Sequence, residues 1–339
     1  MGMRALVIGG TRNLGPPLVK ALFESGFQVT VFNRGKTHAD LPQQVERQYG
    51  DRTKPEQLRS AIGGREFEFV VDTTLYNGRD AQAVLSLFQN RTARYIFIST
   101  GQVYLVREGP VRPYKEEDYA GPLIPEPPQS AVFDHENWKY GIEKRAAEDV
   151  FTGGWKARQF PVTILRLPMV NSERDHFHRI HGCLLRLRDG GPILLPQGTD
   201  LPLRHVYGED VVQAVLHLAK ASLGKGEAYN ISQDETVSLE EFLEMLAARA
   251  RAHLRLVRIP RAELEEAYLL PDCSPFSDPW MSALDNAKSK AELGMKYTPL
   301  EASLDKLVQS FQFKAGMPVK GYARRALELE LATTHSSGG

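Results

Sequence analysis

The stretch Gly9-Gly10-Thr11-Arg12-Asn13-Leu14-Gly15 constrains this chain more than any other. It follows an apolar run at 3–8 that reads as a buried strand, and it precedes an amphipathic segment at 16–25 that stops at Gly26. A strand that turns through glycines into a helix aims free main-chain N–H groups at a phosphate. Gly9 permits the tight turn and Gly15 lets the helix lie close on the sheet, while Arg12 stands where a middle glycine is usual. With the strand before it and the helix after it, the motif reads as a dinucleotide-binding turn, held by the main chain of residues 9–15.

The rest of the first half repeats the pattern. Strands are expected at 29–32, near Gln48, and at 69–72, 95–99 and 162–167, with helices at 54–62, 80–89 and 137–151 between them. Strands alternating with helices predict an α/β fold of the doubly wound, Rossmann type, a parallel sheet covered on both faces. After Pro168 the period changes. A helix is expected at 210–221, a strand at 228–231 and a helix opened by the capping box Ser238/Glu241. A strand-like run at 254–259 and helices at 283–293 and 300–313 follow. The expected division is a dinucleotide-binding domain over 1–168 to which 204–231 returns, and a smaller α/β substrate domain from 169–203 and 232–315. Residues 316–339 are read as a tail, disordered over 333–339. Residues 107–134 hold six prolines and the acidic cluster Glu116, Glu117 and Asp118, and read as a long functional loop or lid.

The 42 basic and 42 acidic residues cancel, which disfavours a global grip on nucleic acid. A local basic face at Lys314, Lys320, Arg324 and Arg325 reads as solvated surface. No run of eighteen apolar residues is present, so no membrane span is expected. The N-terminus enters a strand pattern at once, with no signal segment ahead of it, and this predicts a cytoplasmic protein. Cys183 and Cys273 lack zinc spacing and read as buried apolar residues. His176, His178 and His181 lie close in sequence, but no nearby acid completes a metal site, and none is expected.

The second strand ends in Asn33 and Arg34, where an NAD-binding fold carries an acid for the ribose. Arg12 and Arg34 are placed to pair with a 2′-phosphate, which favours NADP slightly over NAD; the alternative is that Arg34 is a solvated loop cation and Arg12 covers the adenine. Asp51 is placed for the adenine amine, or as a turn residue. Tyr140 and Lys144 are one helical turn apart. A lysine ammonium there would lower the phenol's pKa and fit Tyr140 for proton exchange with a substrate hydroxyl. Thr100, at the end of the preceding strand, is placed to polarise the same oxygen, with Ser99 as second choice.

These residues together resemble an extended short-chain dehydrogenase/reductase of the NAD-dependent epimerase/dehydratase family, over about residues 3–313. The resemblance rests on Gly9, Gly10, Gly15, Asp51, Thr100, Tyr140 and Lys144. It also rests on Arg166-Leu167-Pro168, on Arg204-His205-Val206-Tyr207-Gly208-Glu209-Asp210-Val211, on Tyr229-Asn230-Ile231-Ser232 and on the closing run from Lys288 to Gly294. It implies a nicotinamide cofactor, a sugar-nucleotide-like small-molecule substrate, and catalytic roles for Thr100, Tyr140 and Lys144. It further implies Arg52, Thr73, Thr74, Ser99 and Pro168 along the cofactor, Gln102 and Arg204 towards the substrate, and a homodimer through the helices at 80–89 and 137–151. Gly101 and Gln102 replace the acids of the family's dehydratases, which argues against elimination. The Gly-Gly-Thr-Arg turn and the Pro275-Phe276-Ser277-Asp278 stretch are also similar to a chloroplast RNA-binding branch. The Tyr140/Lys144 pair and the zero net charge favour an enzyme over that alternative; a reductase with exchangeable NADPH is the third reading.

Overall fold

Burial on both faces is what a parallel strand needs, and the first apolar run has it: β1 (Arg4–Ile8) is buried from Ala5 to Ile8. The computed structural model describes residues 2–198, 201–220, 223–312 and 317–336. After β1 come α1 (Gly15–Glu24), β2 (Gln28–Asn33), β3 (Glu46–Tyr49), α2 (Pro55–Ile62) and β4 (Phe67–Asp72). Then follow α3 (Gly78–Phe88), β5 (Thr92–Thr100), the short α4 (Gln102–Leu105), α5 (Val132–Arg158) and β6 (Val162–Leu167). The second half contributes β7 (Val170–Asn171), α6 (Arg179–Asp189), β8 (Ile193–Pro196), β9 (Val206–Tyr207), α7 (Gly208–Lys220) and β10 (Ala228–Asn230). It ends with α8 (Leu239–Ala250), β11 (Leu256–Ile259), α9 (Arg261–Glu266), α10 (Ala287–Leu293), α11 (Leu300–Gln312) and α12 (Arg325–Ser336).

Among the described residues, seven strands form one sheet in the order β10-β6-β5-β4-β1-β2-β3, every pair parallel. This is the expected Rossmann-type doubly wound sheet, with β3 at the place of the weak signal near Gln48. Leu18, Val19 and Leu22 of α1 and Val211, Val215 and Leu218 of α7 cover one face. Leu58 of α2, Val84 and Phe88 of α3 and Phe151 of α5 cover the other. Strand order reverses between β1 and β4, so a crevice opens there at the strands' C-terminal ends, where ligands of such sheets bind. A second core, around Leu184, Leu187, Phe242, Leu246 and Leu304, joins α6, α8 and α11, and β8 pairs with β11 beside it.

Several elements differ from expectation. α5 begins before and runs past the expected 137–151, through Gly153 and Gly154. Gly154 is where α5 meets α3: a Cβ there would stand 2.2 Å from Leu85 Cδ1. Residues 283–286 are not helical, because Ala283 C=O accepts from Tyr114 N–H at 2.8 Å and Asp285 N–H donates to Tyr114 C=O at 2.8 Å. These bonds tie down the 107–134 loop, which also carries a 3-10 helix at Glu116–Tyr119. The expected tail is not loose: α12 docks Glu328 (1% exposed) against Arg186 (0%) of α6. Ala221, Phe313, Lys314 and residues 337–339 lie outside the described residues. Cys183 and Cys273 are both buried and unpaired. Among the described residues no helix is long and apolar enough to cross a membrane, and no three His, Cys, Asp or Glu side chains are placed to hold a metal ion.

Candidate active site

The glycine turn lies at the mouth of the crevice. Gly9 and Gly10 sit at φ 105° and 79°, which an L side chain rarely adopts. A Cβ on Gly15 would stand 2.4 Å from the Gly10 carbonyl carbon, so α1 starts in contact with the turn. The turn's own bonds use Gly9 N–H, to Phe32 C=O at 2.9 Å, and Gly15 N–H, to Arg12 C=O at 2.8 Å. The N–H groups of Thr11, Arg12, Asn13 and Leu14 have no acceptor among the described residues. α1 has no side-chain cap, and Pro16 and Pro17 in its first turn have no N–H to give. Free donors at the positive end of a helix fit the pyrophosphate of a dinucleotide.

Around the turn the expected cofactor residues divide. Arg12 is exposed, its Nε donating to Thr37 Oγ1 at 3.1 Å, and Arg34 is exposed too. Asn33 Oδ1 accepts from Gly35 N–H at 2.8 Å and shapes the bend after β2. Thr73 donates twice to Ile8 C=O, through N–H and Oγ1, both at 3.0 Å, and Thr74 N–H donates to Asp72 at 2.9 Å. The two Thr73 bonds tie the end of β1 to the end of β4. Asp51 accepts from Thr53 N–H at 3.0 Å and Thr53 Oγ1 at 2.8 Å, and these bonds hold its carboxyl below the usual value. Arg52 is turned inward against Asp72 and, at 3.0 Å, Asp80. Pro168 is buried at the end of β6.

The residues expected to move the proton lie together at the end of β5. Tyr140, half-buried on α5, lies beside Thr100, whose hydroxyl favours the ionised phenol. Burial pushes its phenol well above the ordinary value, the neighbouring Tyr76 adds to this, and only Thr100 opposes it. The lowering expected from Lys144 is therefore reversed. The reason is geometric: Lys144 Nζ donates to Leu75 C=O at 2.7 Å and Ile98 C=O at 2.9 Å, and lies 6.0 Å from the Tyr140 ring centre. Its own ammonium is pulled down to about 7 by burial, against the pull of the Asp72 and Glu148 carboxylates. Ser99 faces the core, its hydroxyl donating to Glu148 at 2.5 Å, which removes it as an alternative to Thr100. Gln102 N–H donates to Thr100 Oγ1 at 3.2 Å, and its Nε2 to Asn137 at 2.6 Å. Arg204 is 8% exposed, with Nε and Nη2 donating to Gln233 C=O at 3.3 and 3.1 Å.

Residues 5–232 match the NAD dependent epimerase/dehydratase family. The chain belongs to that family. It is an enzyme of the extended short-chain dehydrogenase/reductase type. Among similar proteins is the 2′-dehydrokanamycin reductase of Streptomyces kanamyceticus, 24% identical over 93% of this chain and 81% of that protein. Another is the chloroplast stem-loop binding protein of 41 kDa b from Arabidopsis thaliana, 27% identical over 70% of this chain and 60% of that protein. Among solved structures, UDP-glucose 4-epimerase of Thermotoga maritima with UDP-glucose covers 92% of this chain and 99% of its own, at 21% identity and a TM-score of 0.72. A dTDP-glucose 4,6-dehydratase of Bacillus anthracis in complex with NAD covers 92% and 97%, at 18% identity and a TM-score of 0.71.

In this family member a buried polar chain supports the site from below, and the sequence reading missed it. Arg166 donates to Glu148 at 2.7 Å and to the Tyr104 hydroxyl at 2.7 Å, and Tyr104 donates to Asn230 at 2.8 Å. Asn230 N–H donates to Glu116 in the proline-rich loop at 2.7 Å. The signal for Glu148 was present, since Tyr140, Lys144 and Glu148 follow one another at i,i+4 along one helix face. Asp72 was missed in the same way. It ends β4 fully buried, accepting from Tyr95 Oη at 2.7 Å as well as from Arg52.

Proposed function

We propose that this enzyme oxidises or reduces a hydroxyl/ketone carbon of a sugar-nucleotide-like substrate, as an epimerase or reductase, with NADP preferred to NAD. One observation carries the reading: the Thr100–Tyr140 pair and Lys144 lie at the end of β5, on the same edge of the sheet as the free N–H groups of the glycine turn. The turn would hold the pyrophosphate, Arg12 and Arg34 the 2′-phosphate, and Lys144 the ribose hydroxyls beside the nicotinamide. The bound nicotinamide supplies the hydride acceptor or donor. Thr100 holds the substrate oxygen by a hydrogen bond. Tyr140 takes the hydroxyl proton in oxidation and returns it in reduction; its raised pKa keeps it a proton donor, which suits the reductive direction. Gln102, an amide, has no acid to lend to an elimination. The relative named as a reductase supports ketone reduction, and the neighbours named with nucleotide sugars support that substrate class.

The test incubates the enzyme with NADP or NAD and a panel of UDP- and dTDP-hexoses. Nicotinamide absorbance reports net oxidoreduction, and NMR of the sugar ring reports epimerisation. Tyr140→Phe is expected to bind the dinucleotide normally and to lose about 10²- to 10⁴-fold in turnover. Undiminished turnover in that variant would overturn the mechanism.

A further inference from the structure

The glycine turn is touched from across the molecule. Ser172, just after β7 and 159 residues away in sequence, donates its hydroxyl to Asn13 Oδ1 at 2.5 Å. The same hydroxyl accepts from Arg174 N–H at 3.2 Å, so two bonds run in series into the turn and each polarises the other. The contact is closely packed. At Gly208, the first residue of α7, a Cβ would stand 2.9 Å from Ser172 Cβ and 3.3 Å from Leu14 Cδ2.

Asn13 is where such a contact matters. It is the non-glycine residue of the turn with positive φ, 45°, in the left-handed region that costs an L residue energy. Its N–H is among the donors left free in the turn. Released, Asn13 can relax towards an ordinary backbone conformation, and the free N–H groups then lose their common aim.

We propose that Ser172 is a positioning residue for the dinucleotide: by pinning Asn13 it holds the glycine turn in its phosphate-binding shape and sets how slowly the cofactor leaves. This rests on the dinucleotide reading above and deepens it. Slow release suits a reaction in which the dinucleotide is regenerated without leaving, and fast release suits an exchangeable reductant. The Ser172–Asn13 bond is therefore placed to tune between the two.

The experiment preloads the full-length protein with NADPH and follows loss of its fluorescence after mixing with excess NADP. Ser172→Ala and Asn13→Gly are each expected to speed release about three- to tenfold, the worth of one net hydrogen bond. The association rate should stay within about twofold. The double variant should release no faster than Asn13→Gly alone, because both changes remove one bond. A structural defect would instead change both rates and add in the double variant, and that result overturns the proposal. So does unchanged release from Ser172→Ala when the unmodified protein binds NADPH. If the unmodified protein binds neither NADPH nor NADH, the dinucleotide reading itself falls and the proposal with it.

Discussion

His205 shows what burial does to one side chain here. It is 2% exposed, set between Phe242 and Phe276 with ring centres 5.5 and 5.0 Å away. Asn171 Nδ2 donates to its Nδ1 at 3.0 Å, which leaves the ring proton on Nε2, a buried atom without a partner among the described residues. Burial, helped by Arg179, pulls its pKa to about 3. In the unfolded chain it titrates near 6.5. Between those values the unfolded chain holds the proton and the folded chain does not. Stability should therefore fall as pH drops through that window, by about 1.4 kcal/mol per unit from this group. Urea unfolding at pH 7 and 5.5 measures the drop, and His205→Gln should flatten it by about that amount. An equal drop in the variant would assign the loss to other groups. Nothing in the sequence separated His205 from the motif around it, because its protonation is set by Phe242 and Phe276, 37 and 71 residues further on. The glycine turn and the Tyr140/Lys144 pair were legible because their chemistry lies in local spacing. Asp72 was not, since its partner Arg52 lies 20 residues away, and for Glu148 the i,i+4 spacing marked the helix face but not the partner Arg166. The direction of the Tyr140 shift was misread for the same reason: the carbonyls of Leu75 and Ile98, which hold Lys144, are invisible in an i,i+4 pattern.

At the scale of elements, the sheet was readable because strands buried on both faces are continuous apolar runs. The loops were not, because their bonds are to main chain far away. The segment 282–284 illustrates this. It lies over the end of β5, and a Cβ on Gly101 would stand 2.1 Å from Ser282 Oγ and 2.9 Å from Leu284 Cδ2. Leu284 also bridges Tyr114 of the proline-rich loop. Gly101→Ala should therefore push this segment off the active site and cost about 1–3 kcal/mol of stability. Adding Ser282→Gly should restore most of that loss. Thermal unfolding of the single and double variants checks both, and a double variant no better than the single would show that the segment is not what Gly101 supports.

Across the whole molecule, the C-terminal helix is the part composition misjudged. The polar stretch after residue 316 reads as a tail, yet Glu328 is fixed by Arg186 Nε at 2.8 Å and by Arg325 at 2.9 Å, and Arg325 pairs with Asp189 at 2.7 Å. Glu328→Ala leaves the Arg186 charge buried without its carboxylate and should cost about 3–5 kcal/mol. Glu330→Ala, on the exposed side, should cost less than about 0.5 kcal/mol. Equal effects of the two in urea unfolding would mean that α12 does not dock through this pair.

The free N–H groups of the glycine turn, at the ends of β1 and β4, are the feature the proposed chemistry depends on. The decisive measurement quantifies nicotinamide dinucleotide released from the denatured purified protein and titrates any empty fraction with NADP and NAD. One site per chain is predicted, with NADP held more tightly than NAD and binding lost in Gly15→Val, whose side chain would force α1 off the turn. A well-folded protein that releases no dinucleotide and binds neither would contradict the proposed chemistry at its root.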